Sequence, residues 1–185
     1  MTRVVIVDDH DALRQGLTAL LGGHGFDVVG DAAGLAAGSD LIERTEPDVA
    51  LVDTDLADGS GIDLARQLLT GRPGLGVILY TGERDPDLLQ RALDSGARGY
   101  VLKDGSMAEL VGAIERIAAG GSYVDPRVTS GMAQKVPQLS PREVEIMRLM
   151  AEGLTTEEIA GRLAEPPDTI HWHVRRIIRT LQQPS

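Results

Sequence analysis

Short runs of apolar, mostly branched residues recur through the first 120 positions. They are Arg3-Val4-Val5-Ile6-Val7, Phe26-Asp27-Val28-Val29-Gly30, Asp48-Val49-Ala50-Leu51-Val52, Gly76-Val77-Ile78-Leu79-Tyr80 and Gly99-Tyr100-Val101-Leu102. Bounded by Gly, Asp and Thr, these runs have the length and composition of buried parallel strands. The intervening segments switch to helical spacing: Ala12, Leu13, Leu17, Leu20 and Leu21; Leu64, Leu68 and Leu69; Leu88, Leu89, Ala92 and Leu93. Five alternations of strand and helix predict an α/β domain, a five-stranded doubly wound parallel sheet with helices on both faces.

After about residue 120 the pattern changes. A helix over about 105–119, with Leu110, Val111, Ile114 and Ile117 along one stripe, ends at Gly120-Gly121-Ser122. Pro126, Gly131 and Pro137 then mark a linker over 121–137, with one short helix near Val128 to Ala133. From Leu139 the chain predicts three helices in a small all-α domain over 138–185. Ser140-Pro141-Arg142-Glu143 is a capping box with Pro at the first helical position, opening a helix through Val144, Met147, Leu149, Met150 and Ala151 that stops at Gly153. Thr155-Thr156-Glu157-Glu158 is a second capping box, before Ile159, Ala160 and Leu163. After the turn Glu165-Pro166-Pro167, a third helix from about Asp168 places Ile170, Val174, Ile177, Ile178 and Leu181 on one face and His171, Trp172, Arg175, Arg176 and Arg179 on the other. Two short helices joined by a tight turn, the second basic outside, fit a helix-turn-helix; a plain three-helix bundle is the bland alternative.

Charge sharpens this division. The formal net charge of -10 lies in residues 1–120, which hold 10 Lys and Arg against 20 Asp and Glu, whereas 138–185 hold 6 against 7. Cys is absent, which excludes disulfides, thiolate catalysis and Cys-ligated metal. No apolar run approaches the roughly 18 residues that span a bilayer. The chain enters its first strand directly from Met1, so a cytoplasmic protein without membrane association is expected.

Candidate chemistry follows from topology. Asp8, Asp9, Asp53, Thr81 and Lys103 stand at or just past the carboxyl ends of strand-like runs, where the crevice of such a sheet opens. Clustered carboxylates repel one another unless a cation is near, and Mg2+ suits an all-oxygen site that leaves room for a phosphoryl group. A compact Lys charge and a Thr hydroxyl would hold phosphoryl oxygens, so the array predicts phosphoryl transfer with a carboxylate nucleophile. Taken singly, the aspartates have blander roles as a helix cap or strand end, and the Lys as a solvated cation.

The pattern Val7-Asp8-Asp9-His10, Asp48 to Asp53 followed by Leu56, Asp58 and Gly61, Tyr80-Thr81-Gly82, and Gly96 to Lys103 resembles the flavodoxin-like receiver domain of two-component response regulators, over residues 1–120. The resemblance implies that Asp53 accepts a phosphoryl group from a sensor histidine kinase, and that Asp9, Asp53 and the backbone carbonyl of Asp55 bind Mg2+, with Asp8 acting directly or through water. It further implies that Lys103 pairs with phosphorylated Asp53, that Thr81 swings toward the phosphoryl group and that Tyr100 turns inward as Thr81 moves. Such a domain accepts and loses a phosphoryl group without turning over an independent substrate. Ala57 stands where the family often has Pro, and Asp55 adds a carboxylate expected to alter phosphoryl lifetime. Asp53-Thr54-Asp55 also resembles the nucleophile motif of haloacid-dehalogenase-type phosphatases, but that family places it at the first strand. A calcium loop over 53–64 has its Gly one place late and Leu64 where Glu should close it.

Leu139 to Glu143, Ala151 to Thr155, Glu158-Ile159-Ala160, Leu163, Thr169-Ile170, His173-Val174 and Ile177 resemble the DNA-binding domain of NarL/LuxR-type regulators. That implies a transcription regulator which dimerises on activation. His171, Trp172 and Arg175 would face the major groove of promoter DNA, with Thr169 beside them, and Thr155, Thr156, Arg176 and Arg179 would contact phosphates. The family usually has Lys at the places of His171 and Thr180, and an apolar residue with a Ser cap where Glu165 and Pro166 stand. Its fourth helix, which commonly forms the dimer seam, would lie beyond Ser185. These departures leave a second expectation open, a regulator that works through protein contacts or independently of phosphorylation.

Overall fold

The computed structural model describes residues 1–130 and 139–182. Its centre is a parallel sheet in the order β2-β1-β3-β6-β7-β8, formed by β1 (Arg3–Val7), β2 (Asp27–Ala32), β3 (Val49–Asp53), β6 (Gly76–Thr81), β7 (Gly99–Leu102) and β8 (Tyr123–Val124). A two-residue hairpin, β4 (Asp55–Leu56) with β5 (Gly59–Ser60), follows β3. The alternation of strand side chains assigns the helices to faces. Val4, Ile6, Val49, Leu51, Ile78 and Val101 pack with Leu17, Leu21, Leu110, Ile114 and Ile117 of α1 (Asp11–Gly23) and α5 (Met107–Ala118). Val5, Val7, Ala50, Val52, Val77 and Leu79 pack with Ile42, Ile62, Ala65, Leu68, Leu89 and Ala92 of α2 (Leu35–Thr45), α3 (Gly61–Gly71) and α4 (Pro86–Asp94). Both faces are covered, which is why these strands read as continuous apolar runs.

The expectation of five strands needs one correction. Past Gly120 the chain adds β8 alongside β7, pairing Tyr123 with Gly99 and Val124 with Tyr100, so the sheet has six strands and continues into the segment expected to be linker. The short helix expected near 128–133 begins earlier, as α6 (Pro126–Ser130), and the rest of that expectation lies outside the described residues.

The three carboxyl-terminal helices are α7 (Pro141–Ala151), α8 (Thr156–Leu163) and α9 (Pro167–Gln182). Both capping boxes form: Ser140 with Glu143, and Thr155 with Glu158, each exchanging side-chain and backbone hydrogen bonds. Ile146, Met147, Leu149, Met150, Ile159, Ile170, Val174, Ile177 and Ile178 bury the expected stripe; the side chain of Leu181 lies outside the described residues. This small core is continuous with the α2–α4 face, with Val128 of α6 in the same cluster and α9 packed on α4.

Candidate phosphoacceptor site and nucleic-acid interface

The carboxyl ends of β1, β3, β6 and β7 bring the predicted residues together. Asp8 is fully buried and Asp53 is 4% exposed. The Lys103 ammonium donates to Asp8 Oδ2 and to Asp53 Oδ2, both at 2.7 Å, while its backbone N–H donates to the Thr81 carbonyl at 2.7 Å. One oxygen of each buried carboxylate is thus held by the cation. The other oxygens face elsewhere: Asp53 Oδ1 accepts from Asp55 N at 3.3 Å, and Asp8 Oδ1 from His10 N at 2.8 Å. Burial pushes the Asp53 carboxyl above its ordinary range, against the pull of Lys103. For Lys103, burial alone would lower the ammonium, but hydrogen bonds to Asp53 and Asp8 outweigh it and the net shift is upward. The pocket is therefore short of positive charge: one cation faces three carboxylates.

The β3–α3 connection is built for close approach. A Cβ on Gly61 would overlap the Asp53 carbonyl oxygen, and Asp58 caps α2 by accepting from Leu35 N at 2.9 Å. Asp55 is exposed beside the pocket. Thr81 is fully buried, and its Oγ1 accepts from Glu83 N at 3.1 Å. Tyr100 is 1% exposed with its hydroxyl donating to the Glu83 carbonyl at 3.4 Å; burial pushes the phenol well above its ordinary range. Tyr100, expected to turn inward as Thr81 moves, lies inward in this structure, packed with Leu79 and Leu102 in one core.

Asp8, Asp9, His10 and Asp53 bring their ligand atoms within 4.8 Å of one another. Asp9 Oδ1 is buried with no hydrogen bond of its own and lies 2.8 Å from His10 Nδ1, and three carboxylates so close together fit a divalent cation. Sequence reasoning assigned no part to His10. Arg14 was missed as well: from the buried side of α1 its guanidinium donates to the Asp8 carbonyl at 2.6 Å and to Asp31 Oδ1 at 3.0 Å, and it pairs with Asp11. An Arg placed between Leu13 and Leu17 on an apolar stripe was the available signal.

Several of the residues expected at DNA face the receiver domain or their own caps. Helix α9 packs on α4, with Arg175 Nε 4.0 Å from Asp94 Oδ1. His171, Trp172 and Arg175 line a cavity of about 450 Å³ with Leu93, Gly96 and Arg98; burial pushes the His171 imidazole below its ordinary range. Trp172, 55% exposed, also borders a cavity of about 420 Å³ with Arg175, Arg176 and Arg179. Arg176 stacks over Trp172 and lies 3.1 Å from the buried Glu143 carboxylate. Thr155 is buried and spent on its cap, Thr156 Oγ1 hydrogen-bonds Ser122 Oγ, and Thr169 N donates to the Pro166 carbonyl at 3.0 Å. Ser122 N and Arg116 complete the seam, donating to Glu157 Oε2 at 3.0 Å and to the Gly153 carbonyl at 3.3 Å. In this arrangement the helix-turn-helix offers the receiver-side surface much of what was expected to meet DNA.

Residues 4–115 match the response regulator receiver domain and residues 137–185 match the bacterial regulatory proteins of the luxR family. A curated relative is the DNA-binding transcriptional activator DevR/DosR of Mycobacterium tuberculosis, 36% identical, with the alignment covering 98% of this chain and 88% of that protein. Among solved structures, a two-component response regulator of the LuxR family from Aurantimonas is 31% identical with a TM-score of 0.69, over 72% of this chain and 96% of that one. A structure of two RcsB dimers bound to two parallel DNAs matches with 28% identity and a TM-score of 0.66, over 100% of this chain and 93% of that one. The chain belongs to the two-component response regulators in which a receiver domain is joined to a LuxR-type helix-turn-helix domain.

Proposed function

We propose that this chain is phosphorylated on Asp53 by a sensor histidine kinase, with Mg2+ in the acid pocket, and that the phosphoryl group frees the helix-turn-helix to bind promoter DNA. The observation that carries the reading is the shared grip of Lys103 on Asp8 and Asp53. Asp53 keeps a carboxylate oxygen for nucleophilic attack in line with a leaving group, and Lys103 is placed to take up charge on the transferred oxygens. Asp8, Asp9 and Asp53 would hold the ion, with the Asp55 carbonyl as a further oxygen ligand; bound there, Mg2+ supplies electrostatic shielding of the phosphoryl oxygens. The Thr81 hydroxyl would hydrogen-bond a phosphoryl oxygen after releasing Glu83 N. Acceptance and loss of the group at Asp53 is the whole of the chemistry, with no independent substrate turned over.

Regulation follows from the seam. Asp94 of α4 faces Arg175 on the basic face of α9, a carboxylate where a DNA phosphate would otherwise stand. A half-exposed ion pair at 4.0 Å adds little, so Asp94 and Arg175 part at small cost, and the Ser122–Glu157 and Arg116–Gly153 hydrogen bonds and the shared apolar core hold more of the seam. Opening releases Thr156 from Ser122 and Arg175 from Asp94 and adds to the exposure of the half-exposed Trp172. Binding by a homodimer, as in the RcsB assembly, would supply affinity that one near-neutral domain lacks. No helix among the described residues is long and apolar enough to cross a membrane, and the proposed activity belongs in the cytoplasm.

The test is incubation of the full chain with Mg2+ and a small-molecule phosphodonor, followed by intact mass, beside Asp53→Asn. One phosphoryl adduct, absent in the variant, is expected. A folded wild-type protein that gains none overturns phosphorylation as the input.

A further inference from the structure

Helix α9 carries an aromatic ring that is exposed and yet held in place. Trp172 is 55% exposed, whereas its apolar neighbours along the helix, Ile170, Val174, Ile177 and Ile178, are buried. Two side chains fix the ring. His173 meets it edge to face, with centroids 4.9 Å and planes 75° apart, and the Arg176 guanidinium lies one turn further on, 5.5 Å from the ring centroid.

Arg176 is itself anchored. Its Nε lies 3.1 Å from Oε1 of Glu143 on α7, a carboxylate only 1% exposed, whose Oε2 accepts from Ser140 N at 2.8 Å in the capping box. Burial pushes the Glu143 carboxyl up, but the Ser140 hydrogen bonds and the charges of Arg176 and His173 outweigh it and hold the group below its ordinary range. Glu143 is therefore an anion at neutral pH, and a buried anion deprived of its cation is costly. Arg176, expected at a DNA phosphate, has its charge matched inside the domain instead.

The exposed indole offers an apolar ring and one N–H donor. In the major groove, thymine is the base that presents a methyl group beside an acceptor oxygen, O4. We propose that Trp172 reads a thymine in the major groove, and that Arg176, clamped by Glu143, is a positioning residue for that ring and not a phosphate contact. The inference rests on the reading of α9 as the helix that meets promoter DNA, and it names the base that helix selects.

The probe is a pool of randomised DNA duplexes, from which the full chain, kept in Mg2+ and a small-molecule phosphodonor, selects its preferred site. Binding of the selected duplex is then measured over a salt series, with each thymine in turn replaced by uracil, for wild type, Trp172→Ala, Arg176→Gln and Glu143→Gln. Urea melts show which variants are folded, and either anchor variant decides the matter alone. The expected result is one thymine whose replacement by uracil, which lacks only the methyl, weakens wild-type binding about fourfold. That discrimination vanishes in Trp172→Ala and shrinks in both anchor variants, while log Kd against log salt keeps its slope in Arg176→Gln. A slope reduced by about 0.9 in Arg176→Gln, with the uracil effect intact, would make Arg176 a phosphate contact and overturn the inference. So would a uracil effect at no position, or one that survives in Trp172→Ala. Failure of the underlying reading looks different: wild type would enrich no sequence from the pool, which removes the inference with it.

Discussion

At the scale of single residues, two buried aspartates pull stability in opposite directions with pH. Burial raises Asp53 above its unfolded value, so it favours the fold most at acid pH, and that contribution is lost as pH rises through its folded pKa. At neutral pH Asp53 therefore costs stability, and Asp53→Asn is expected to raise the melting temperature, by about 2–4 °C for each kcal/mol relieved. Asp125, also fully buried, behaves conversely: burial pushes its carboxyl up, but hydrogen bonds from Arg127 win and hold it below the ordinary range. Its stabilisation is present above the unfolded value near pH 4 and fades as pH falls through the folded one. Asp125→Asn should cost about 1–3 kcal/mol at neutral pH in urea melts, with the gap to wild type closing in acid. A gap that widened in acid would contradict the assignment. Asp53 was legible in the sequence because it ends an apolar run. Asp125 was not, because its worth comes from Arg127 and from the β7 backbone, where Leu102 N donates to it.

At the scale of elements, legibility followed length and punctuation. The five longer strands and both capping boxes announce themselves through branched runs and Ser/Thr-x-x-Glu spacing. Strand β8 is two residues long and leaves no periodicity to find. The turn of the helix-turn-helix was legible at Glu165-Pro166-Pro167, but its backbone conformation was not. Ala164 ends α8 in the left-handed region, φ 54° and ψ 42°, where Gly is the usual signal and is absent. A Cβ there is strained, so Ala164→Gly should stabilise the small domain by about 1 kcal/mol, seen as a shifted urea midpoint with unchanged slope. Thr155→Ala, in contrast, removes a cap and strands Glu158, and should cost about 1 kcal/mol. If both substitutions moved stability in the same direction, the local account of this turn would fail.

At the scale of the whole molecule, none of the contacts between the domains was visible in the chain. Thr156 and Arg175 read as DNA contacts and Ser122 as a helix end, and only the folded arrangement sets α4 against α9 and Ser122 against Thr156. The same fact explains why Thr156 and Arg175, expected at DNA, meet Ser122 and Asp94 instead, while Trp172 stays 55% exposed: surfaces suited to phosphates also suit an acidic receiver. Trp172 is the only tryptophan of the chain and stands at this seam, so its emission reports the seam alone. Asp94→Ala should loosen the contact and raise quenching of Trp172 by acrylamide without any phosphodonor. The most direct test is that quenching measured on wild type before and after phosphorylation, with the adduct counted by intact mass. The account predicts a steeper quenching slope in the phosphorylated protein and no change in Asp53→Asn. An unchanged slope in a protein carrying one phosphoryl group would contradict the claim that Asp53 controls the cover on the recognition helix.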